Sequence, residues 1–297
     1  MRIAIVGANG YLARNLLRVA VGAGHEVLAY DLAGEHADGH PSYMQADLTD
    51  RSQAGLVDLS VDAVYMMAGK TGTSAGFDDY GQFVAGNELT LLNLLDAMRA
   101  SSSRARLIFP STRLVYRGRP EPLEEGAPKE AKTVYAANKL ACEAYLEQWA
   151  RAFGIDYTVL RICVPFGTLV PGAASYGTAE FMLTRAKAGQ PITLFGDGSL
   201  RRTFTHAADI CEALLRAGKA RECAGGTYNV GGHAYSLLQV AKAIASLLGV
   251  GIEHVPWPEM ALALETGDTV FDDSRLAQAI GSIEYGTLES WLASAEA

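Results

Sequence analysis

The stretch Tyr135-Ala136-Ala137-Asn138-Lys139 sets a phenol and an amine four residues apart. On a helix, both side chains leave the same face. An ammonium one turn from a phenol favours the phenolate and draws its pKa down. Such a tyrosine gives or takes a proton at an alcohol or sugar oxygen near neutral pH. Upstream, Leu107-Ile108-Phe109-Pro110-Ser111-Thr112 reads as an apolar strand ending on two hydroxyls. Strand ends of this kind face the crevice where ligands bind in open α/β sheets. A surface helix with a chance tyrosine and lysine would give the same spacing. The hydroxyl-bearing strand end is what favours chemistry.

A second feature begins at the N-terminus. Gly7-Ala8-Asn9-Gly10-Tyr11-Leu12-Ala13 follows a short apolar strand and opens a helical pattern. Gly7 permits a tight turn, Gly10 lets the backbone approach a pyrophosphate, and Ala13 lets the helix pack close to the strand. The helix N-terminus supplies N–H groups and partial positive charge for that anion. Asp31 closes the next strand, 24 residues after Gly7. A carboxylate there accepts from adenosine ribose hydroxyls and repels a 2′-phosphate, so NAD is expected in preference to NADP. Arg14 is a candidate phosphate contact that works against this preference. Asp47 and Leu48, after the third strand, are within reach of the adenine.

These groups need a frame. Strand-like runs at 2–6, 26–30, 42–46, 62–67, 106–110 and 156–162 alternate with helical patterns at 10–23, 51–58, 80–100 and 133–153. Strict alternation implies right-handed crossovers and a parallel sheet. The expected fold is therefore α/β, a Rossmann-type doubly wound parallel sheet. Beyond Ile162 the texture is more irregular. Helices are expected at 177–188, 206–217 and 236–248, and strands at 191–195 and 227–230, with Gly196-Asp197-Gly198 as a turn. Residues 1–164, with segments near 205–232 returning to them, form the expected cofactor-binding domain. Residues 165–204 and 233–297 form a smaller, irregular C-terminal substrate lobe.

Composition excludes several classes. The chain has 297 residues, 49% of them apolar, and carries 25 basic against 33 acidic side chains for a net charge of −8. That balance offers no general attraction to nucleic acid. No run of about 18 apolar residues suggests a membrane span. The first residues read as a strand entering a turn and lack the features of a signal peptide, so a cytoplasmic protein is expected. Cys142, Cys163, Cys211 and Cys223 show no C-x-x-C pair and are expected to be reduced and buried. His36 and His40 are flanked by Gly34 and Gly39, so no metal site is expected.

With these motifs in order, the chain resembles the extended short-chain dehydrogenase/reductases, the NAD-dependent epimerase/dehydratase group acting on sugar nucleotides. The resemblance runs from residue 1 to about residue 235. It is carried by the glycine turn, Asp31, Asp47-Leu48, Met67-Ala68-Gly69, Asn87, Ser111-Thr112…Val115-Tyr116, Tyr135…Lys139, Leu160-Arg161…Phe166-Gly167, Phe195-Gly196-Asp197-Gly198, Arg202…His206…Asp209 and Tyr228-Asn229-Val230-Gly231-Gly232. It implies that Thr112, Tyr135 and Lys139 are catalytic: Thr112 bonds the reacting sugar oxygen, Tyr135 is acid and base, and Lys139 tunes it and clamps the nicotinamide ribose. It implies a cofactor site of Gly7, Asn9, Gly10, Tyr11, Leu12, Asp31, Asp47, Leu48, Ala68, Gly69, Tyr135, Lys139 and Ile162. Lys70, Arg113, Phe195 and Arg202 are the expected substrate contacts, with Arg202 on the nucleotide diphosphate. The helices near 87–100 and 133–153 are those that pair family members into homodimers.

Departures from the pattern narrow the reaction. The family's 4,6-dehydratases carry Asp-Glu after the catalytic threonine, whereas this chain has Arg113-Leu114, which cannot drive that elimination. Many family epimerases carry Asn where Val164 stands, and the Asp after the family arginine is Thr203 here. A C4 epimerase and a 4-ketoreductase of a nucleotide-linked hexose or deoxyhexose both remain. Asp31 leans toward the first and the missing Asn toward the second. A non-catalytic NAD(P)-binding regulator on the same fold is the alternative of another class, opposed by the intact Thr-Tyr-Lys set.

Overall fold

Short apolar runs become parallel strands here because helices cover them on both faces. The computed structural model describes residues 1–173 and 177–295. Residues 174–176 and 296–297, both within the expected substrate lobe, lie outside the described residues. Seven strands form the main sheet: β1 (Arg2–Val6), β2 (Glu26–Asp31), β3 (Tyr43–Gln45), β4 (Ala63–Met66), β5 (Arg106–Thr112), β6 (Tyr157–Ile162) and, after three strands of smaller sheets, β10 (Gly226–Asn229). Their order is β3-β2-β1-β4-β5-β6-β10, and every pairing is parallel. Strand order reverses on either side of β1, which opens the crevice beyond the strand C-termini. This is the doubly wound Rossmann-type sheet that the alternation predicts.

One face of the sheet buries Leu16 and Ala20 of helix Tyr11–Gly22 with Ile210 and Leu214 of helix Ala207–Lys219. The other buries Leu91, Leu94, Leu95 and Met98 of helix Thr90–Ala100 with Cys142 and Leu146 of helix Val134–Phe153. A third cluster, including Phe166, Leu183, Ile244 and Trp291, lies among the later elements. There β7 (Val164–Phe166), β9 (Arg201–His206) and β11 (His233–Ser236) make a three-stranded sheet, and β8 (Ile192–Phe195) pairs with β12 (Ile252–Val255). Of these five strands the sequence pattern predicts only β8. The others are short and mix polar with apolar residues, so they lack a readable period.

Two predicted helices differ. The 51–58 helix is a single turn, Arg51–Ala54, capped by the Asp50 side chain and stopped at Gly55. The 80–100 helix is interrupted: Tyr80–Val84 and Thr90–Ala100 flank a wider π-turn at Ala85–Leu89. The Asn87 amide sits in that turn and donates to the Phe83 carbonyl (3.0 Å) and the Lys70 carbonyl (3.1 Å). A π-turn accommodates one extra residue in a helix, often beside a functional site.

Candidate active site

The first wall of the crevice is the glycine turn. Gly7 has φ +83°, and a Cβ on it would lie 2.3 Å from the Ala68 nitrogen. Only glycine fits both the backbone conformation and the contact. Gly10 caps helix Tyr11–Gly22 without any side-chain cap, which leaves that end to be served by a ligand. The Asp31 carboxylate is held at the end of β2 by the N–H groups of Asn9 (3.0 Å) and Ala33 (3.2 Å). Gly7, Gly10, Asp31, Asp47, Leu48, Ala68, Gly69 and Lys70 all line one groove of about 420 Å³. A glycine approach, a helix N-terminus without a side-chain cap and a carboxylate at the end of β2, all in one groove, fit a dinucleotide such as NAD.

The other predicted cofactor contacts, Asn9, Tyr11, Leu12, Ile162, Tyr135 and Lys139, are not among the residues lining this groove, whereas the expected substrate contact Lys70 is. The Asn9 amide donates to the Glu35 carbonyl (3.0 Å) and accepts from Ala37 N–H (2.8 Å), so it holds the loop after β2. The Tyr11 hydroxyl donates to the Gly167 carbonyl, tying the first helix to the later elements. Leu12 packs against the sheet core. Ile162 is the register neighbour of Thr112 across β5 and β6. Lys70, on the rim, is bonded to Gln82 and lies 3.7 Å from Asp79.

The proton-handling groups come from two elements. Thr112 is the last residue of β5, and Tyr135 and Lys139 lie in the first turns of helix Val134–Phe153. That helix starts where it does because the Thr133 hydroxyl accepts from Ala136 N–H (3.0 Å). Its buried stripe, Ala136, Lys139, Cys142 and Leu146, follows helical spacing, so the lysine is carried inward with the core face. The Thr112 side chain lies close enough to the Tyr135 phenol to act on it, pulling its pKa down. Lys139 donates to the Pro110 carbonyl (2.8 Å), and its nitrogen lies 5.8 Å from the centre of the Tyr135 ring.

The electrostatics correct one expectation. Burial pushes the Tyr135 phenol well above its ordinary range, against the pull of the Thr112 side chain. Burial also pulls Lys139 down to about 8. In the free protein, desolvation outweighs the ammonium–phenol attraction that the four-residue spacing suggests.

A clamp fixes the strand end against the helix. Ser111 donates to Glu143 (2.6 Å), one turn beyond Lys139, and Arg161 forms a buried ion pair with the same carboxylate. Arg161 also donates to the Tyr116 hydroxyl (2.7 Å), which in turn donates to Asn229 at the end of β10 (2.7 Å). The family motif residues Arg161, Tyr116 and Asn229 thus form one network behind Thr112.

Beside Thr112, Arg113 and Arg202 approach each other. Arg202 is ion-paired with Glu265 at 2.7 Å, and Arg113 donates to the Thr266 hydroxyl at 3.2 Å. Burial first, then repulsion by Arg202, pulls Arg113 down to about 10. Phe195 stands elsewhere, partly exposed on β8 and packed on Trp257 with ring centres 5.3 Å apart.

Comparisons with known proteins give the family and the fold. The sequence matches the NAD dependent epimerase/dehydratase family over residues 3–231. The chain belongs to that family. It is 26% identical over 263 residues to a UDP-glucose 4-epimerase of Mycolicibacterium smegmatis, covering 84% of this chain and 83% of the relative. It is 27% identical over 281 residues to a dTDP-glucose 4,6-dehydratase of Streptomyces niveus, covering 86% and 81%. The UDP-glucose 4-epimerase of Thermus thermophilus, solved with NAD, superposes with a TM-score of 0.85 at 25% identity, over 99% of this chain and 98% of that one. This family member is therefore an extended short-chain dehydrogenase/reductase by sequence and by fold.

Sequence reasoning does not anticipate Glu265, Thr266 or Trp257. They lie past residue 235, where motifs thin, in segments without helical or strand period. The acidic character of Glu265 is the only sequence signal, and it is indistinguishable from a solvated loop residue.

Proposed function

We propose that this protein is an NAD-dependent enzyme that oxidises and re-reduces a nucleotide-linked hexose or deoxyhexose at C4, a 4-epimerase. The observation that carries the reading is the juxtaposition of Thr112, at the end of β5, with the Tyr135 phenol it acts on, and Lys139 one turn further along the same helix. When bound, NAD supplies the hydride acceptor and donor. The chain's own groups manage position and protons. Thr112 holds the reacting oxygen. Tyr135, protonated in the free protein, is the acid for re-reduction, and takes the alcohol proton when a cation beside it lowers its pKa. Lys139 in its charged form is such a cation and also a donor for ribose hydroxyls. Asp31 supports NAD over NADP.

The reading takes Gly7, Asn9, Gly10, Tyr11, Leu12, Asp31, Asp47, Leu48, Ala68, Gly69 and Ile162 as the cofactor's contacts, and Lys70, Arg113, Phe195 and Arg202 as the sugar nucleotide's. It assigns residues 1–164 and 205–232 to the cofactor, and 165–204 and 233–297 to the substrate. Elimination of the 4,6-dehydratase type is disfavoured, since Arg113-Leu114 offers no acid and the nearby carboxylates Glu143 and Glu265 are both ion-paired to arginines. Val164 is the observation favouring a second reading, a 4-ketoreductase. It is buried in β7 and offers no amide to a diphosphate.

Among the described residues, no helix is long and apolar enough to cross a membrane. We carry a cytoplasmic location as part of the proposal. We also carry a homodimer, supported by exposed Leu89 and Phe153 in the stretches 87–100 and 133–153 that pair family members.

Incubation with NAD and a panel of nucleotide hexoses and 4-keto sugar nucleotides tests the reading. An epimerase interconverts C4 isomers, seen by NMR, without net change in reduced nicotinamide. Stoichiometric consumption of NADH with a 4-keto substrate selects the reductase. Silence across the panel with cofactor still bound selects the regulator.

A further inference from the structure

The side-chain cluster next to Thr112 holds more positive charge than its own carboxylates neutralise. Two guanidiniums, Arg113 and Arg202, meet one carboxylate, Glu265. Both oxygens of that carboxylate are committed. Oε2 accepts from Arg202 (2.7 Å), and Oε1 accepts from the N–H groups of Thr266 (2.9 Å) and Gly267 (3.0 Å). Among the described residues Arg113 has no ion-pair partner, and its one hydrogen bond is from NH1 to the Thr266 hydroxyl. The Nε of Arg202 is buried and unbonded. Withdrawing a guanidinium from water without a counter-charge is costly, and sites that carry such a charge commonly receive it from a ligand.

The position of Arg113 identifies the anion. Its backbone directly follows Thr112, the last residue of β5, and its side chain reaches Thr266 and the neighbourhood of Arg202. Thr266 pins one end of the planar fork, leaving Nε and NH2 for a second planar group. A carboxylate matches that fork bidentately. Leu114, the next residue, adds only an apolar surface.

We propose that Arg113 pairs with a carboxylate carried on the sugar ring, so that the substrate is a nucleotide-linked uronic acid rather than a neutral hexose. This rests on the nucleotide-sugar reading above. Arg202 then serves the diphosphate and Arg113 the sugar, each guanidinium with its own anion.

Calorimetric titration of the NAD-loaded protein tests the assignment, with UDP, UDP-glucose, UDP-glucuronate and the three dTDP counterparts. The wild type is expected to bind one uronate about tenfold tighter than its matched hexose, the scale of one charge-assisted fork. Arg113→Leu is expected to remove that preference and leave the bare diphosphate within about twofold, because the charge lost is the sugar's partner. Arg113→Lys keeps charge without the fork and is expected to retain only part of the preference. The wild-type comparison needs no variant, so it decides even if Arg113→Leu does not fold. Equal or tighter binding of the neutral hexose overturns the inference and leaves the nucleotide-sugar reading standing. So does a loss of bare-diphosphate affinity in Arg113→Leu, which would place Arg113 on the phosphates. Failure of every nucleotide and nucleotide sugar to bind overturns both.

Discussion

At the residue scale, Tyr135 and Lys139 share a helix face yet answer to different neighbours. Tyr135 is acted on by the Thr112 side chain, while Lys139 donates to the Pro110 carbonyl. Tyr135→Phe is therefore expected to lower turnover by about a thousandfold, within the range for a lost acid–base group. NAD affinity, measured by fluorescence titration, should stay within about twofold, since the phenyl packing is retained. Lys139 carries a pH signature. Burial holds its folded pKa near 8, below the unfolded value, so the folded state binds fewer protons between those two values. Stability contributed through this group must then rise as pH climbs above about 8. Denaturant midpoints of wild type and Lys139→Met, compared from neutral to alkaline pH, should move in the wild type's favour. A constant difference would count against the buried-ammonium picture. The chemistry of these residues was legible in a five-residue motif. Their pKa values were not, because desolvation depends on what the rest of the chain packs around them.

At the element scale, the helix and strand patterns that place the site were readable wherever burial imposed a period. Helix Val134–Phe153 is predicted within a residue because Thr133 caps it and Gly154 ends it in the left-handed conformation. The π-turn at Ala85–Leu89 was invisible, since one extra residue scarcely disturbs a helical apolar pattern. So were the short strands β7, β9, β11 and β12, whose residues take their partners from distant segments. The glycine turn is the element most sensitive to change. Gly7→Ala would force a Cβ against the Ala68 backbone at a φ of +83°. The strained backbone alone costs about 2 kcal/mol, and the collision adds to it. Urea unfolding should show a clear loss of stability, and NAD binding should fail along with it. A variant that binds NAD normally would mean that the turn has slack the structure does not display.

At the scale of the whole molecule, the segment Glu265–Phe271 joins parts that the sheet alone leaves separate. Thr266 accepts from Gly118 N–H (2.8 Å), Thr269 exchanges backbone bonds with Arg201 and Thr203, and Leu123 donates to Val270 (2.7 Å). Glu265 itself pairs with Arg202. This stretch has little regular structure, yet its backbone is paired along both sides. Hydrogen exchange should therefore show the amides of Thr269, Phe271 and Asp272 protected together with those of Thr203 and Leu123. Fast exchange at Thr269 and Phe271 would mean the segment is only draped over the cleft. Six of the seven strands of the main sheet were legible in the alternation of the first 162 residues, and the seventh in the short apolar run at 227–230. This closing seam was not, because neither its period nor its composition differs from an ordinary loop.

The seam also bears on the order in which the site is completed during synthesis. Domains form from the N-terminus as the ribosome delivers them. The glycine turn and Asp31 emerge with the first two strands, and Thr112, Tyr135 and Lys139 follow. Glu265 and Thr266 emerge well after all of these. A nascent chain stalled before them would carry the residues of the dinucleotide groove and the proton-handling groups, while Arg113 and Arg202 would face each other without the carboxylate and hydroxyl that hold them apart.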